Sequence, residues 1–299
     1  MAPASVRVAR HSIRAQFPQL AALPVAPLGE GLDSAAFAVG DDLVFRFPGD
    51  EEAARGLQRE ARLLAWLAAR LPLDVPTPRY VGRPSGVFAR PFLGSTRLSG
   101  VPALRWDAPL DVSAVGETLG AFLRVLHGQD QARAHALGLE VEDGDLSEWT
   151  EEALSDLALA VERGDVPRGD ATFWRGVLDA SPAPFVGPPA LLHGDLAAEH
   201  VMLDVAGRIT GVIDWADTAV GDPARDLAGL VHWGGAALLD AALGAYGGVD
   251  VRTRARTAYL ALCRALADLT FGHERDGEAY VRAGLAALGH VRELVREGP

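Results

Sequence analysis

Apolar positions recur along this chain at two periods, and the change between them separates a strand-rich front from a helix-rich remainder. Ala35-Ala36-Phe37-Ala38-Val39 and Leu43-Val44-Phe45-Arg46-Phe47-Pro48 are short runs parted by Gly40-Asp41-Asp42. In the second run Leu43, Phe45 and Phe47 alternate with Val44 and Arg46, as a half-buried strand requires, and the Gly-Asp-Asp step supplies hairpin chemistry. Further strands are predicted at 79–81 and 87–89. Helical spacing governs most of the rest. Leu57, Leu63, Leu64 and Leu67 mark one face of a helix predicted over 51–71, with Pro72 just beyond it. Val115, Leu119, Phe122, Leu123 and Leu126 form a stripe over 113–127. Other helices are predicted at 12–20, where Ile13, Phe17 and Leu20 recur, and at 148–163, 170–180, 223–246, 251–271 and 278–295. Two strand-like runs, 190–192 and 209–213, interrupt the helices, and a Pro-rich loop over 181–189 leads into the first. The chain shows no internal repeat and no long low-complexity linker.

Length and composition narrow the classes. With 299 residues, 49% of them hydrophobic, the chain can bury a large core in one big domain or two lobes. The single cysteine, Cys263, falls within the apolar run Tyr259-Leu260-Ala261-Leu262-Cys263, so an inert buried thiol is expected and no disulfide can form within a monomer. No apolar run approaches the ~20 residues of a membrane span. The first 29 residues are acid-free and Arg-rich like a transit peptide, but they lack the continuous apolar segment of a signal peptide and read better as a short amphipathic helix. A cytoplasmic location is expected. A net charge of −12 argues against nucleic acid or an anionic membrane as partner and permits a cationic small molecule.

Two loops carry the candidate chemistry. One reads His193-Gly194-Asp195-Leu196-Ala197-Ala198-Glu199-His200, and the other Gly211-Val212-Ile213-Asp214-Trp215, followed by Asp222-Pro223-Ala224-Arg225-Asp226. Phosphoryl transfer needs a carboxylate that orients the attacking hydroxyl, a metal-side group on the same loop, and a separate carboxylate for Mg²⁺. Asp195, His200 and Asp214 occur in that order. The plainer alternative makes Asp195 and Asp214 turn caps beside buried strands; the strand–loop–strand context favours catalysis. Upstream, Gly29, Gly31 and Ser34 lie between predicted strands, where small residues let backbone N–H groups approach phosphates. All 28 basic residues are arginine, so no lysine can hold a phosphate. Arg46 is the candidate, since its planar fork can grip phosphate bidentately. Asp222 and Pro223 suit an N-cap and first helical position, and Asp226 in the first turn suits the helix dipole.

This order of motifs resembles the aminoglycoside and macrolide phosphotransferases, antibiotic kinases built on the protein-kinase-like fold, over nearly the whole chain. That family reads H-x-D-x-x-x-x-N or H-x-D-x-x-x-x-H, then a strand ending in I-D, and often G-D-P-x-x-D; here the text is HGDLAAEH and VIDWADTAVGDPARD. The resemblance implies an α+β, two-lobed fold. A small β-rich nucleotide-binding lobe with the hinge would span 1–92, and a larger, mainly helical catalytic and substrate-binding lobe 93–299. It implies ATP or GTP as co-substrate and Mg²⁺ as cofactor, with Asp195 as the catalytic carboxylate and Asp214 as the principal Mg²⁺ ligand. Gly29, Gly31, Ser34 and Arg46 would attend the phosphates, Arg46 in place of the usual lysine. Glu60 would pair with Arg46, Glu52 being the second choice. Ala89 and Arg90 would sit in a hinge over 88–92 whose backbone binds the purine. His193 would be structural, and Asp222 and Asp226 would brace the catalytic loop.

His200 stands where most relatives carry Asn, and imidazole departs from the hard oxygen donors Mg²⁺ prefers. Three roles stay open to it: ligating metal, holding a metal-bound water, or fixing the loop by a hydrogen bond. Asp217, three residues past Asp214, can face substrate or solvent. The implied activity is transfer of a γ-phosphate to a hydroxyl of an aminoglycoside or macrolide by a monomeric enzyme, conferring resistance. Acidic stretches at 140–145, 148–152 and 274–278 are candidates for ammonium groups or simply solvated surface. Trp149, Trp215 and Trp233 suit either a macrolide wall or the core. Two alternatives accompany this: a kinase of a metabolite such as an amino alcohol or sugar, and a nucleotide-binding pseudokinase regulator, the latter suggested by Arg46 and His200.

Overall fold

A computed structural model describes residues 4–30, 34–275 and 277–297. Gly31, with Leu32 and Asp33, therefore lies outside the described residues. The chain divides into two compact units, one of 1–99 with 136–138 and 210–216, the other of the remainder. The division falls after Ser99 and not at the expected 92/93, because the segment beginning at Phe92 is a strand committed to the first unit's sheet.

The first unit contains α1 (Val6–Gln16), β1 (Val25–Glu30), β2 (Ser34–Val39), β3 (Leu43–Pro48), α2 (Glu51–Leu67), β4 (Pro78–Gly82) and β5 (Phe92–Thr96). The strands form one antiparallel sheet in the order β1-β2-β3-β5-β4, with Phe37 opposite Phe45 and Ala36 opposite Arg46. Alternation along β3 buries Phe45 and Phe47, and these meet Phe37, Phe88 and Phe92 in an aromatic core. The rings of Phe47 and Phe92 stack at 4.4 Å between centroids. Two expectations are corrected. The helix expected at 12–20 starts instead at Val6, where the Ser5 hydroxyl accepts the Val8 N–H, and stops before Pro18, whose ring permits only a short 3₁₀ turn. No strand forms at 87–89: the Ser85 hydroxyl accepts the N–H groups of Val87 and Phe88, and Ser85 donates to the Phe88 carbonyl, closing a turn. α2 is capped by Asp50, which accepts from Ala53, and ends at Leu67, short of the expected 71.

In the second unit, β6 (Val101–Pro102) pairs with β8 (Val201–Leu203), and β7 (Ala190–Leu191) with β10 (Val220–Gly221), β9 (Ile209–Val212) being the entry to the first unit's returning segment. The helices are α3 (Val112–His127), α4 (Gln131–Ala136), α5 (Ser147–Arg163), α6 (Arg168–Asp179), α7 (Ala224–Tyr246), α8 (Val251–Glu274) and α9 (Glu278–Glu297). α3 packs on α7, and α8 on α5, α7 and α9. Contrary to the sequence expectation, α7 is long and apolar enough in composition to cross a bilayer; its burial against α3, α8 and α9 accounts for that composition. It starts one residue later than expected, with Pro223 at the N-cap and Asp222 accepting the Ala224 N–H.

The first two turns of α7 hold the loop between β7 and β8. Asp226 is fully buried and accepts the N–H of His193 at 2.8 Å and of Gly194 at 2.9 Å, while His127 Nε2 lies 3.1 Å from the same carboxylate. One turn on, Gly229 lets the helix meet the loop backbone: a Cβ there would lie 1.5 Å from the Leu196 carbonyl oxygen. Gly229→Ala is expected to destabilise the protein by about 1–3 kcal/mol, read as a lower urea midpoint with unchanged slope, and to reduce activity by displacing the loop.

Burial alone pushes the Asp226 carboxyl up; the hydrogen bond with His127, the neighbouring imidazoles of His127 and His193 and the Gly194 N–H outweigh it and hold the group below the usual carboxylate range. A depressed folded-state pKa contributes stability above the unfolded value of about 3.9, and that contribution is lost as pH falls from there through the folded pKa. Asp226→Asn should therefore lag the wild type most above about pH 5, with the gap in denaturant midpoint narrowing below about pH 4. A gap that stays constant across that range would contradict an ionised Asp226 in the fold.

Candidate active site

In the first unit a buried acid selects its partner. Glu60 lies on the inner face of α2 with its side chain 5% exposed, and a carboxylate so placed requires a cation. Arg46 of β3 provides it, donating from Nη1 to both Glu60 oxygens at 2.8 and 2.7 Å. Glu52, the second choice, is exposed in the first turn. Arg46 Nε also donates to the Ser34 hydroxyl at 3.4 Å, and its Nη2 lies 3.8 Å from Asp214 Oδ1. One guanidinium thus gathers Ser34, Glu60 and Asp214.

Asp214 is brought there by a backbone stitch and a buried anchor. Val212 donates to the Asp74 carbonyl at 2.9 Å, and the fully buried Trp215 donates from its indole N–H to the Val212 carbonyl at 3.1 Å. Between them Asp214 takes φ 62°, the one non-glycine residue with positive φ among those described. Such a conformation costs about 1–3 kcal/mol, least for Asp and Asn, and turns its carboxylate outward, 47% exposed.

Gly29 lies in β1, where an added Cβ would meet nothing within 4 Å among the described residues, and Ser34 opens β2. Ala89 and Arg90 do not lie where the chain leaves the sheet. They precede β5, which Phe92 commits to the aromatic core, and the chain departs only after Thr96. Arg90 is buried, donating to the Pro48 carbonyl at 3.3 Å with Glu51 at 3.8 Å, so its side chain serves the fold.

The second unit carries a charged loop of its own. Gly194 has φ 88°, and a Cβ on it would lie 2.0 Å from the Asp217 carbonyl, so only glycine permits the turn that presents Asp195. His193 is completely buried; its Nδ1 accepts the Asp195 N–H at 3.3 Å, which makes it a structural member of the loop. His200 Nδ1 donates to the Asp195 carbonyl at 2.7 Å. A carbonyl only accepts, so Nδ1 bears the proton, and Nε2 is the ring nitrogen left to face other groups. Loop fixation by His200 is thus realised, and any metal contact falls to Nε2.

Sequence reasoning missed Arg264. This residue of α8, 69 positions from Asp195, donates from Nη1 to Asp195 Oδ1 and from Nη2 to Glu199 Oε1, the latter at 2.7 Å. Nothing in the helical spacing distinguishes it from any polar position, and no motif spans that separation. Burial raises the Asp195 carboxyl, but Arg264, His200 and His193 outweigh it and hold the group below the usual range. Asp195 is therefore ionised at neutral pH.

Other candidates have ordinary surroundings. Glu142 pairs with Arg225, whose guanidinium stacks on half-buried Trp149, and Asp145 caps the start of α5. Glu148, Glu151, Glu152, Glu274 and Glu278 are exposed, Trp233 is half-buried, and Asp217 is exposed. Cys263 is buried, its thiol pushed up to about 12 by burial, as an inert thiol requires.

Among the described residues no three His, Cys, Asp or Glu side chains converge into a ready-made metal cage. Mg²⁺ ordinarily takes one or two carboxylates and completes its octahedron with water and phosphate oxygens. The exposed Asp214 carboxylate suits a metal that arrives with a nucleotide.

The family model described as a phosphotransferase enzyme family, APH, matches residues 24–260. The uncharacterised protein YcbJ of Bacillus subtilis (strain 168) is 31% identical over 66% of this chain and 66% of its own length. The viomycin phosphotransferase of Streptomyces vinaceus is 29% identical over 80% of this chain and 84% of its own. The fold is shared with the GDP complex of aminoglycoside 2'-phosphotransferase-IIIa, at 23% identity, TM-score 0.72 and coverage of 97% and 99%. It is shared also with macrolide 2'-phosphotransferase type I, at 25% identity, TM-score 0.65 and coverage of 96% and 98%. With its motifs in family order and its fold that of the antibiotic kinases, the chain belongs to the APH phosphotransferase family.

Proposed function

We propose that the protein transfers the γ-phosphate of ATP or GTP to a hydroxyl of a cationic antibiotic, an aminoglycoside or a macrolide, and so confers resistance. The observation that carries this is the ionised Asp195 on a loop braced by Asp226, since that carboxylate is what a hydroxyl acceptor needs. The viomycin-specific name of one relative and the kanamycin complex of a protein of the same fold support a polycationic acceptor. A net charge of −12 agrees with such a ligand.

Each group has one task in this scheme. Asp195 accepts a hydrogen bond from the acceptor hydroxyl and aims its oxygen at the γ-phosphorus. As the new P–O bond forms, the bond from γ-phosphorus to the β–γ bridging oxygen breaks, ADP or GDP departs, and the hydroxyl proton passes to Asp195 or onward to water. Arg46, steadied by Glu60, holds phosphate oxygens as lysine does in other kinases. Asp214 would hold Mg²⁺, which would neutralise charge on the phosphates, and Nε2 of His200 is a further candidate donor. The gain comes from positioning and charge neutralisation, and no covalent enzyme intermediate is involved. We place the enzyme in the cytoplasm, where nucleoside triphosphates are supplied, and as a monomer.

Asp195→Ala should lose turnover by about 100-fold to 10,000-fold while keeping nucleotide affinity within a few-fold; near-normal turnover would remove Asp195 from the reaction. Asp214→Ala should lose the Mg²⁺-dependent part of nucleotide binding in calorimetry run with and without the metal. If affinity in Mg²⁺ is unaltered, Asp214 is not the ligand.

A further inference from the structure

The charged cluster behind the catalytic loop contains more than catalysis by Asp195 alone requires. Arg264 reaches from α8 with its two Nη groups divided between Asp195 and Glu199, which lies four residues further along the same loop. Asp268, one helical turn along α8, lies 3.0 Å from His232 of α7. Among the described residues no protein group accepts from Arg264 Nε. Both Nη groups are turned to acids of the loop.

The consequence concerns which oxygen of Asp195 is available. Oδ1 is taken by Arg264. Oδ2 lies 3.5 Å from His200 Nδ1, whose proton is committed to the Asp195 carbonyl at 2.7 Å. Oδ2 is thus the oxygen left to accept a hydroxyl hydrogen bond. Because the side chain is about one-third exposed, water alone would let it sample several rotamers. Bridging Asp195 to Glu199 ties the carboxylate to the backbone of its own loop and to α8.

We propose that Arg264 is a positioning residue for phosphoryl transfer, clamping Oδ1 of Asp195 to Glu199 so that Oδ2 meets the acceptor hydroxyl in one fixed orientation. The inference rests on Asp195 serving as the catalytic carboxylate. It assigns to α8 a part in the chemistry that no motif of the catalytic loop discloses. Lysine cannot substitute fully, because one ammonium on a flexible stem does not reproduce the two-headed planar fork.

The test uses the full-length protein with Mg²⁺, ATP or GTP, and kanamycin and viomycin as acceptors, with nucleotide hydrolysis by water measured in parallel. Arg264→Met should lower kcat by about 100-fold, the order expected when a reacting group is displaced by about 1 Å, with both KM values within about threefold. Arg264→Lys should fall between, about 10-fold down, and methylguanidinium should restore part of the kcat lost in Arg264→Ala. A kcat within twofold of wild type in Arg264→Met, or a loss confined to KM, overturns the proposal. Should Arg264→Met fail to unfold cooperatively, Arg264→Lys decides: full kcat overturns the clamp, and a tenfold loss at unchanged KM supports it. Asp195→Ala separates the two claims. If that variant turns over normally, the catalytic assignment itself has failed; if it is inactive while Arg264→Met is unimpaired, only the clamp has.

Discussion

A single buried carboxylate sets the geometry of the loop over 193–200. Asp226, fully enclosed, spends both oxygens on the N–H groups of His193 and Gly194, two successive backbone donors that a tight loop would otherwise leave unsatisfied. Breaking such a buried charged arrangement costs about 3–5 kcal/mol, so the loop has no inexpensive alternative path. With His193 and Gly194 fixed, Asp195 can emerge only in one direction. The close approach of Gly229 to Leu196 and the left-handed turn at Gly194 then determine how near α7 and the Asp217 carbonyl come to that loop.

The first unit repeats the same physics with a different ion pair. Glu60 is buried deeply enough that its charge must be matched, and Arg46, opposite Ala36 in the sheet, is held at the right height by the alternation of β3. The chain's complete lack of lysine makes this a guanidinium site. An arginine there gains a planar fork that holds Glu60 with one nitrogen while keeping others toward Ser34 and Asp214, whereas an ammonium would be a point charge.

How much of this was legible in the sequence depended on whether the signal was local. Helices α3, α5, α7, α8 and α9 were readable because each carries a long apolar stripe, and β2 and β3 because Phe37, Phe45 and Phe47 alternate across a clear turn. Arg46 and Glu60 were legible as a pair through motif order. The start of α1 was missed because its cap, Ser5, precedes a helix with few apolar residues, and the strand at 87–89 was misplaced because Phe88 is core without being in a strand. The 88–92 hinge failed for the same reason: an apolar run identifies burial, and only sheet register says which run is the strand. Arg264 could not be found at all from spacing. Its partner Asp195 is brought to it by tertiary packing of α8, and a lone arginine on a helix carries no local mark of that contact.

The account stands or falls on whether a hydroxyl of a cationic antibiotic receives the phosphate. The most direct measurement is mass spectrometry of kanamycin, viomycin and a macrolide after incubation with the purified protein, Mg²⁺ and ATP or GTP. The account predicts one acceptor heavier by a single phosphoryl group, with ³¹P–¹H correlation placing that group on a hydroxyl carbon. Nucleotide consumed with every drug recovered unmodified, or phosphate found on an amine, would contradict it.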